Sequence, residues 1–455
     1  MHEARNRSTH RRVKVLIGVF ATAVVAIASV AATALGGSAK TISVAIVANP
    51  QMQDIARLTP SLFTTKTGIK VKYTILDEGK LREVTTRSVG SGGKSFDAVM
   101  IGMYETPQFG SAGLLQDLTA QAKGDKAYNF NDLIPAVRDG LSANGKLYAS
   151  PFYAESSFVM YRKDVFKSKG VTMPAHPKWT QVAAIARKIN SSSMAGICLR
   201  GKPGWGDLGA AFTTVLNTFG GTWWSAKPDG TPDKAQVDKP EFKQALGFYA
   251  KLVQDAGEKD AANSSFNECL AQYQAGKVAM WYDATVAAGL LEANDSAVKG
   301  KNGYALAPVE KTKASGWLWS WALAIPKSSP DPASAWKYIA WATGPDYIKA
   351  AGTQTKGGWA AIPPGTRLST YQIPQYKKAA AAFAAKTLEA MKAAPIKNPG
   401  TTKRPGLPGV QYVGIPQFQD VGNRCTQLFS SVIAGSTNID KALSQCQEIA
   451  SRAIR

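Results

Sequence analysis

Short apolar runs alternate with segments of helical spacing between residues 41 and 104. TISVAIVAN, at 41–49, alternates and is rich in β-branched residues, which predicts a first strand. Helical spacing follows over 52–68 and ends at Gly68. The same alternation continues with a strand at 69–76, a helix from 81 that runs into a loop by 93, and a nearly continuous apolar strand at 96–104. Strand and helix in turn predict an α/β fold with a parallel sheet.

The later pattern is less regular. GKLYASPFYAESSFVMYRKDVF, at 145–166, predicts a short hairpin-like strand, a crossing segment, another strand and a helix beginning at Asp164. Further strands are predicted at 195–201, 278–282, 303–309 and 321–326, with a helix beginning near Asp283 or Ala284 and a capped helix over 329–344. The Pro-rich stretch near the end predicts an extended loop.

GWLWSWALAIP, at 316–326, places Trp317, Trp319 and Trp321 at every second position. Alternate side chains of a strand point to the same face, so three indoles are expected on one side. A packed core is the simplest explanation, yet three indoles exceed what a thin layer needs. We expect Trp319 or Trp321 to face a cleft as a flat platform, with the others supporting it.

The N-terminus has a different character from the rest. Its first 14 residues hold five basic residues and one acid, and an apolar run that ends in small residues follows. This pattern predicts a secretory signal peptide over 1–39, with an uncleaved membrane anchor as the alternative. The remaining chain would carry a net charge of +18 of the total +22. Its bases are scattered and form no nucleic-acid motif, so no nucleic-acid partner is expected.

Histidine and cysteine usage narrows the chemistry. The chain has three His, two of them in the leader, so multi-His metal sites and most His-dependent hydrolase chemistry are disfavoured. No phosphate loop, metal motif or cofactor motif is present, and no cofactor is expected. An exported chain can form disulfides. Cys425 and Cys446 lie in two amphipathic stretches and are predicted to pair, whereas Cys198 and Cys269 are either a second pair or buried thiols.

Several segments, taken together, resemble a known family. FDAVMIGMYE, DGLSANGKLYASPFYAESSFVMYRKD, GICLRGKPGWGD, FNECLAQYQAGKVAMWYDATVAA, GWLWSWALAIP, GGWAAIPPGTR and PGVQYVGIPQFQ span almost the whole mature chain. In these segments the chain resembles family 1 extracellular solute-binding proteins of bacterial ABC importers, in the group that binds sugars and polyols such as mannitol and sorbitol.

The resemblance implies a two-lobed periplasmic-binding-protein fold of type II, with several hinge crossings and a solute cleft between the lobes. The N-lobe would hold 40–151 and 284–326, and the C-lobe 152–283 and 327–455. PFYAESS and MWYDAT would be hinge crossings. The implied function is that of a periplasmic, monomeric receptor without enzymatic activity. It would bind a polyol or related monosaccharide and deliver it to the membrane permease of an importer.

A polyol site needs flat apolar platforms for C–H faces and charged or amide groups for hydroxyls. The candidates combine residue chemistry with position in the matching segments. They are Asn49, Glu78, Tyr104, Glu155, Arg200, Trp205, Asp283, Trp319, Trp321 and Trp359. Each also has a structural explanation: Arg200 could pair with Asp207, and Asp283 could cap a helix. Pro50 departs from the Gly-containing turn of the relatives, which affects the first-loop contacts.

Two other functions compete with the polyol receptor. A glycoside hydrolase would use two carboxylates, for which Glu155 and Asp283 are the available pair. A receptor of the same fold for another solute is the second alternative. An anion would suit the basic charge, whereas an iron binder would need clustered Tyr or His ligands.

Overall fold

The computed structural model describes residues 40–455, so the predicted signal peptide lies outside the described residues. Its strands are β1 Thr41–Val47, β2 Lys70–Leu76, β3 Ala98–Gly102, β4 Ser142–Ala143, β5 Lys146–Leu147, β6 Ala149–Glu155, β7 Ser157–Arg162, β8 Trp224–Ala226, β9 Pro232–Ala235, β10 Met280–Ala284, β11 Asn302–Leu306 and β12 Trp319–Ala324.

The α-helices cover both faces of the main sheet and form most of the second lobe. They are α1 Pro50–Thr59, α2 Thr65–Thr67, α3 Glu78–Gly90, α4 Glu105–Ser111, α5 Thr119–Gly124, α6 Pro135–Gly140, α7 Lys163–Ser168, α8 Trp179–Ile189, α9 Leu208–Phe219, α10 Pro240–Ala256, α11 Phe266–Gln274, α12 Ala287–Leu291, α13 Pro332–Ala342, α14 Pro345–Gln354, α15 Pro374–Ala379, α16 Ala384–Ala393, α17 Phe418–Ile433 and α18 Ile439–Arg452. Within residues 40–455, no helix has the length and apolar character that crossing a membrane requires.

The first sheet has the strand order β2-β1-β3-β12-β6. β1 is parallel to both β2 and β3, as the alternation of strands and helices predicts, and β12 returns antiparallel between β3 and β6. The second sheet has the order β10-β7-β11. β12 therefore comes from far along the chain and inserts between β3 and β6, which brings its tryptophans beside these two strands.

Chain crossings between the two sheets occur where the sequence places polar residues. β6 ends at Glu155 in the first sheet and β7 begins at Ser157 in the second, so Ser156 alone joins them. Ser156 is fixed to Thr285 by two hydrogen bonds, of 2.8 and 3.1 Å. The segment between β11 and β12 is a second crossing. PFYAESS thus crosses between the sheets, as predicted.

The predicted lobe boundaries do not follow the sheets at two places. β11 was expected in the N-lobe with the rest of 284–326, but it pairs with β7 of the second sheet. Helix α13 was expected in the C-lobe, but it packs on β3 and β6. Both differences arise because the chain crosses between the sheets after β11 and leaves the first sheet only after α14. Hydrophobic periodicity describes single elements and does not indicate such crossings.

Two disulfides brace the second lobe. Cys425 and Cys446 join α17 to α18, which confirms the predicted pair. Cys198 and Cys269 also form a disulfide and are not free thiols. The Cys198–Cys269 disulfide closes a loop of 71 residues. By restricting the unfolded chain, it stabilises the fold by about 4 kcal/mol.

Glu258 is a buried acid outside the cleft. Neither of its carboxylate oxygens makes a well-formed hydrogen bond with the described residues. Burial raises the pKa of Glu258 to about 7, against a smaller opposing effect of nearby Ser264. In the unfolded chain a Glu titrates near pH 4.3. The folded state therefore binds more protons between these two pKa values, and the free energy of unfolding falls as pH rises through this window.

We expect Glu258→Gln to be more stable than the parent protein at pH 8.5, by about 3 kcal/mol, because no charge must then be buried. At pH 5 the difference should shrink to about 1 kcal/mol, since Glu258 is then neutral in the folded protein and only the unfolded chain is ionised. Calorimetric melting temperatures at both pH values test this. A constant difference between variant and parent across this range would contradict it.

Candidate functional site

A small cavity, of about 90 Å³, lies where the ends of β1, β6 and β12 meet elements of the second lobe. Seven of the ten predicted site residues line it: Asn49, Glu78, Glu155, Arg200, Trp205, Trp319 and Trp321. The first lobe contributes the strand ends and helix α3. The second contributes the segment around Arg200, the loop of Trp205 and the start of α11. Most of the predicted residues thus lie around one cavity.

The indoles of β12 lie at the cavity because of the strand register. Trp319 is opposite Glu155, and Trp321 is opposite Tyr153 on one side and Gly102 on the other. Gly102 makes room for the Trp319 ring, since a Cβ added there would lie 1.9 Å from it. Trp317 lines the cavity as well, ahead of the strand. All three indoles therefore face the cavity, where the pattern predicted one or two.

Arg82 is the centre of this aromatic group, and the sequence reasoning missed it. Its guanidinium lies 4.0 Å from the Trp205 ring centroid, 4.6 Å from Trp321 and 5.0 Å from Trp319. It donates from Nη2 to Glu78 at 2.7 Å and from Nη1 to Glu105. Burial alone would lower the pKa of Arg82, but the two carboxylates raise it above its usual value, so the group stays charged.

Arg200 is fixed from behind by Asp283. Nε and Nη2 donate to the two oxygens of Asp283 at 2.8 and 2.6 Å, and Nη1 donates to the carbonyl of Gly206 at 2.9 Å. A bidentate pair of this kind sets the plane of the guanidinium. Trp281 donates its indole N–H to the same carboxylate at 3.2 Å. Arg200 is thereby held rigidly as part of the cavity wall.

Two carboxyl groups that line the cavity, those of Glu155 and Asp207, have raised pKa values. Burial raises the pKa of Glu155 well above its usual range, and nearby Asp283 and Glu78 add to this against the effect of Arg200. Burial likewise raises the pKa of Asp207 to about 7. Burial therefore favours the uncharged form of Glu155. An uncharged acid can both donate and accept a hydrogen bond.

Four cavity-lining residues carry buried polar atoms that have no hydrogen-bond partner among residues 40–455. They are Glu155 Oε2, Gln411 Oε1, Trp205 Nε1 and Trp317 Nε1. Buried polar groups are nearly always paired, so each unpaired one calls for an explanation. Here donors and acceptors belong to residues of a single cavity. A small solute with hydroxyl groups would pair with both kinds.

Three predicted site residues lie outside the cavity wall. Tyr104 packs its ring on Trp205, and its hydroxyl donates to Ile415 O at 2.9 Å and accepts from Gln419 N at 3.1 Å. Asp283 lies in β10, behind Arg200, and does not line the cavity. It does not cap a helix either, because α12 begins only at Ala287.

Trp359 is the third predicted site residue that lies outside the cavity wall. Its ring packs against Gly352 of α14, where an added Cβ would lie 2.4 Å from the indole. The glycine next to it in sequence, Gly358, has a φ of +64° and forms the start of a short 3-10 helix. The glycines thus allow a tight turn and the close approach of a helix, where the sequence suggested close approach to a solute.

Asn49 is both a helix cap and a cavity residue. Its side chain accepts from Met52 N at 3.0 Å and donates to Tyr153 OH at 3.2 Å. Pro50 is the first residue of α1, a favoured place for proline, so the departure from the glycine turn still gives a well-formed helix start.

Arg82 could have been found from Glu78, since residues four apart on a helix are neighbours. Tyr153 and Gln411 carry no comparable local signal.

Potential metal ligands lie away from the cavity. Among the described residues, one group brings three such atoms within 4.8 Å: Cys198, Glu258 and Cys269. Both sulfurs belong to a disulfide, so this group offers a single carboxylate to an ion.

Comparison with known proteins agrees with this architecture. The mannitol-binding protein of Pseudomonas aeruginosa is 38% identical over 437 residues, covering 95% of this chain and 97% of that protein. The erythritol/L-threitol-binding protein of Mycolicibacterium smegmatis is 26% identical over 345 residues, covering 72% of this chain and 70% of that protein.

Solved structures show the same fold. An ABC transporter solute-binding protein from Agrobacterium vitis with bound D-mannitol is 43% identical, with a TM-score of 0.86 over 91% of this chain and 98% of that one. A solute-binding protein from Agrobacterium radiobacter in complex with ribitol is 23% identical, with a TM-score of 0.77 over the same shares of the two chains, and supports the fold alone. The predicted two-lobed α/β fold is confirmed.

The family described as bacterial extracellular solute-binding protein matches residues 34–349, more than half of the chain. The chain belongs to this family of bacterial extracellular solute-binding proteins.

Proposed function

We propose that the protein is the solute-binding component of an ABC importer, and that it binds a sugar alcohol of the mannitol type between its lobes. It then delivers the solute to the membrane permease. It acts as a monomer on the outer side of the membrane, in the periplasm. It uses no cofactor, binds no nucleic acid and carries out no reaction on the solute.

One observation carries the proposal: unpaired buried donors and acceptors occur together on residues of a cavity lined by indole rings. Each hydroxyl of a polyol is both a donor and an acceptor, and its carbon chain offers C–H faces to the indoles. Glu155 and Gln411 would accept from hydroxyls, and Trp205 and Trp317 would donate to them. The 43% identical neighbour that holds D-mannitol supports the same class of solute.

The charge of the cavity favours a neutral solute over an anion. Arg82 and Arg200 are each paired with carboxylates, so neither offers an uncompensated positive charge. An anion would also meet the carboxyl groups of Glu155 and Asp207. Hydrolysis is disfavoured because Asp283 is fully engaged by Arg200 and Trp281 and does not line the cavity. Glu155 and Asp283 therefore do not form a pair across a substrate.

We expect D-mannitol, D-sorbitol or D-arabitol to raise the melting temperature of the protein, because binding to the folded state alone adds RT ln(1 + [L]/Kd). This is about 4 kcal/mol at a thousandfold excess of solute over Kd. Calorimetric titration should then give one site per chain, and the polyol should be recovered unchanged.

The comparison set for this measurement is maltose, D-glucose and inorganic phosphate. Stabilisation by phosphate or maltose alone would reject the polyol class and leave the family assignment in place. Release of a hydrolysed product from a glycoside would reject the receptor role.

We expect Glu155→Leu to weaken polyol binding at least tenfold without lowering the melting temperature of the solute-free protein. Loss of one buried hydrogen bond costs about 1–3 kcal/mol of binding free energy. The folded protein itself loses no hydrogen bond of Glu155 Oε2 and no longer buries a carboxyl group. Calorimetric titration and thermal unfolding measure the two effects separately.

Glu292→Leu is the matched control. Glu292 is a buried carboxylate away from the cavity that accepts from Gly300 N, Asn302 Nδ2 and Tyr304 OH. Its loss should lower the melting temperature and leave polyol affinity unchanged. If both variants changed affinity and stability together, Glu155 would have no particular role in binding.

A further inference from the structure

The Cys198–Cys269 disulfide joins two walls of the cavity. Cys198 lies in an extended segment that bonds to β10, its amide donating to Met280 O at 2.9 Å. Arg200, which lines the cavity, follows two residues later. Cys269 lies in the first turns of α11 and is fully buried, like Cys198. A covalent bond therefore links the segment of Arg200 to the start of α11.

The start of α11 carries several contacts of the cavity. Ser265, Phe266, Asn267 and Glu268 all line it. The Ser265 hydroxyl donates to Asp207, and Asn267 Nδ2 donates to Ala48 O at 2.9 Å. Ala48 follows β1 of the other lobe. The first turn of α11 is thus both a wall of the cavity and a contact between the lobes.

Non-covalent contacts and the disulfide together fix the start of α11. The helix has nine residues, of which three, Cys269 among them, are buried. A capping box between Ser265 and Glu268 begins the helix, and Phe266 packs on Trp281. Short helices depend on tertiary packing for their stability. The disulfide adds a covalent bond to these contacts and ties the first turns of the helix to the segment of Arg200.

The second disulfide has a different position. Cys446 lies on α18, and no residue of α18 lines the cavity. Cys425 lies on α17, which supports the Trp205 loop through a hydrogen bond from Trp205 N to Asn423 Oδ1 at 2.9 Å. That bond does not involve the cysteines. Neither disulfide lines the cavity itself, but Cys198–Cys269 joins two segments that both line it, whereas Cys425–Cys446 joins two helices that do not.

We propose that the Cys198–Cys269 disulfide is a positioning element of the solute site, which sets affinity by holding the first turn of α11 against Arg200. This rests on the proposed function. A wall that is already in its bound position loses less entropy when the solute binds. The Cys425–Cys446 disulfide contributes to stability and not to affinity.

The test compares Cys198→Ala/Cys269→Ala with Cys425→Ala/Cys446→Ala in the full chain from residue 40. Both pairs of substitutions should lower the melting temperature. Calorimetric titration with D-mannitol should show a Kd raised about tenfold in the first variant and unchanged in the second. An unchanged Kd in the first variant, or an equal rise in both, would overturn the proposal.

If the first variant does not fold, Cys198→Val/Cys269→Ala replaces it, because the larger side chain fills more of the space left by the two sulfurs and the Cys425–Cys446 disulfide stays in place. The Kd for D-mannitol should again rise about tenfold. A Kd equal to that of the parent protein in this variant would overturn the proposal.

Hydrogen exchange separates this inference from the proposed function. Loss of the disulfide should speed amide exchange in 266–274 and leave the α18 segment unchanged. If the parent protein did not bind D-mannitol, the proposed solute would be wrong, and the exchange rates would still decide whether the disulfide holds α11. Unaltered exchange in 266–274 would overturn the positioning role.

Discussion

The contact of Arg82 with three indoles and two carboxylates is the interaction around which the cavity is built. The guanidinium of Arg82 pairs with Glu78 of its own helix, α3, and with Glu105 of α4. It also lies near the rings of Trp205, Trp319 and Trp321. Cation–π contacts gain strength when the cation is removed from water, as it is here. Two tryptophans of β12, Trp319 and Trp321, and Trp205 of the second lobe thus share a role. They enclose a buried cation and also line the cavity.

Burying Arg82 imposes the charge balance of the whole site. A buried cation needs carboxylates, and Glu78 serves Arg82 while also lying 3.6 Å from Arg200. Arg200 is neutralised by Asp283. Two further acids of the wall, Glu155 and Asp207, form no ion pair among the described residues, and burial favours their neutral forms against the effect of Arg200. The result is a polar wall of low net charge, which suits a neutral solute rich in hydroxyl groups.

The sequence predicted the main strands and helices, and most of the residues it singled out line one cavity; the remaining expectations failed for physical reasons. The strands of the first sheet follow from alternation, and the three-Trp pattern follows from strand geometry. Alternation cannot indicate that β12 is inserted between β3 and β6, which is what places Glu155 opposite Trp319. Trp359 was assigned to the site because of its glycines, but glycine permits any close approach, including that of a helix.

Asp283 and Arg82 show the same limit for charged residues. Arg200 was considered for a pair with Asp207, whereas the structure pairs it with Asp283 across 83 residues of sequence. Charge partners so far apart are chosen by tertiary structure, and no local pattern identifies them. The i,i+4 spacing of Glu78 and Arg82 is local, and it was the one charge pair at the cavity that the sequence offered directly.

The groups that line the cavity also join the lobes. Trp205 of the second lobe lies against Arg82 of the first, Arg200 approaches Glu78, and Asn267 donates to Ala48 O. A solute bound as we propose would contact the same residues. Its binding would favour an arrangement that keeps these contacts over one that breaks them, by as much as its affinities for the two arrangements differ. The residues that would recognise the solute are therefore the same ones that hold the two lobes together.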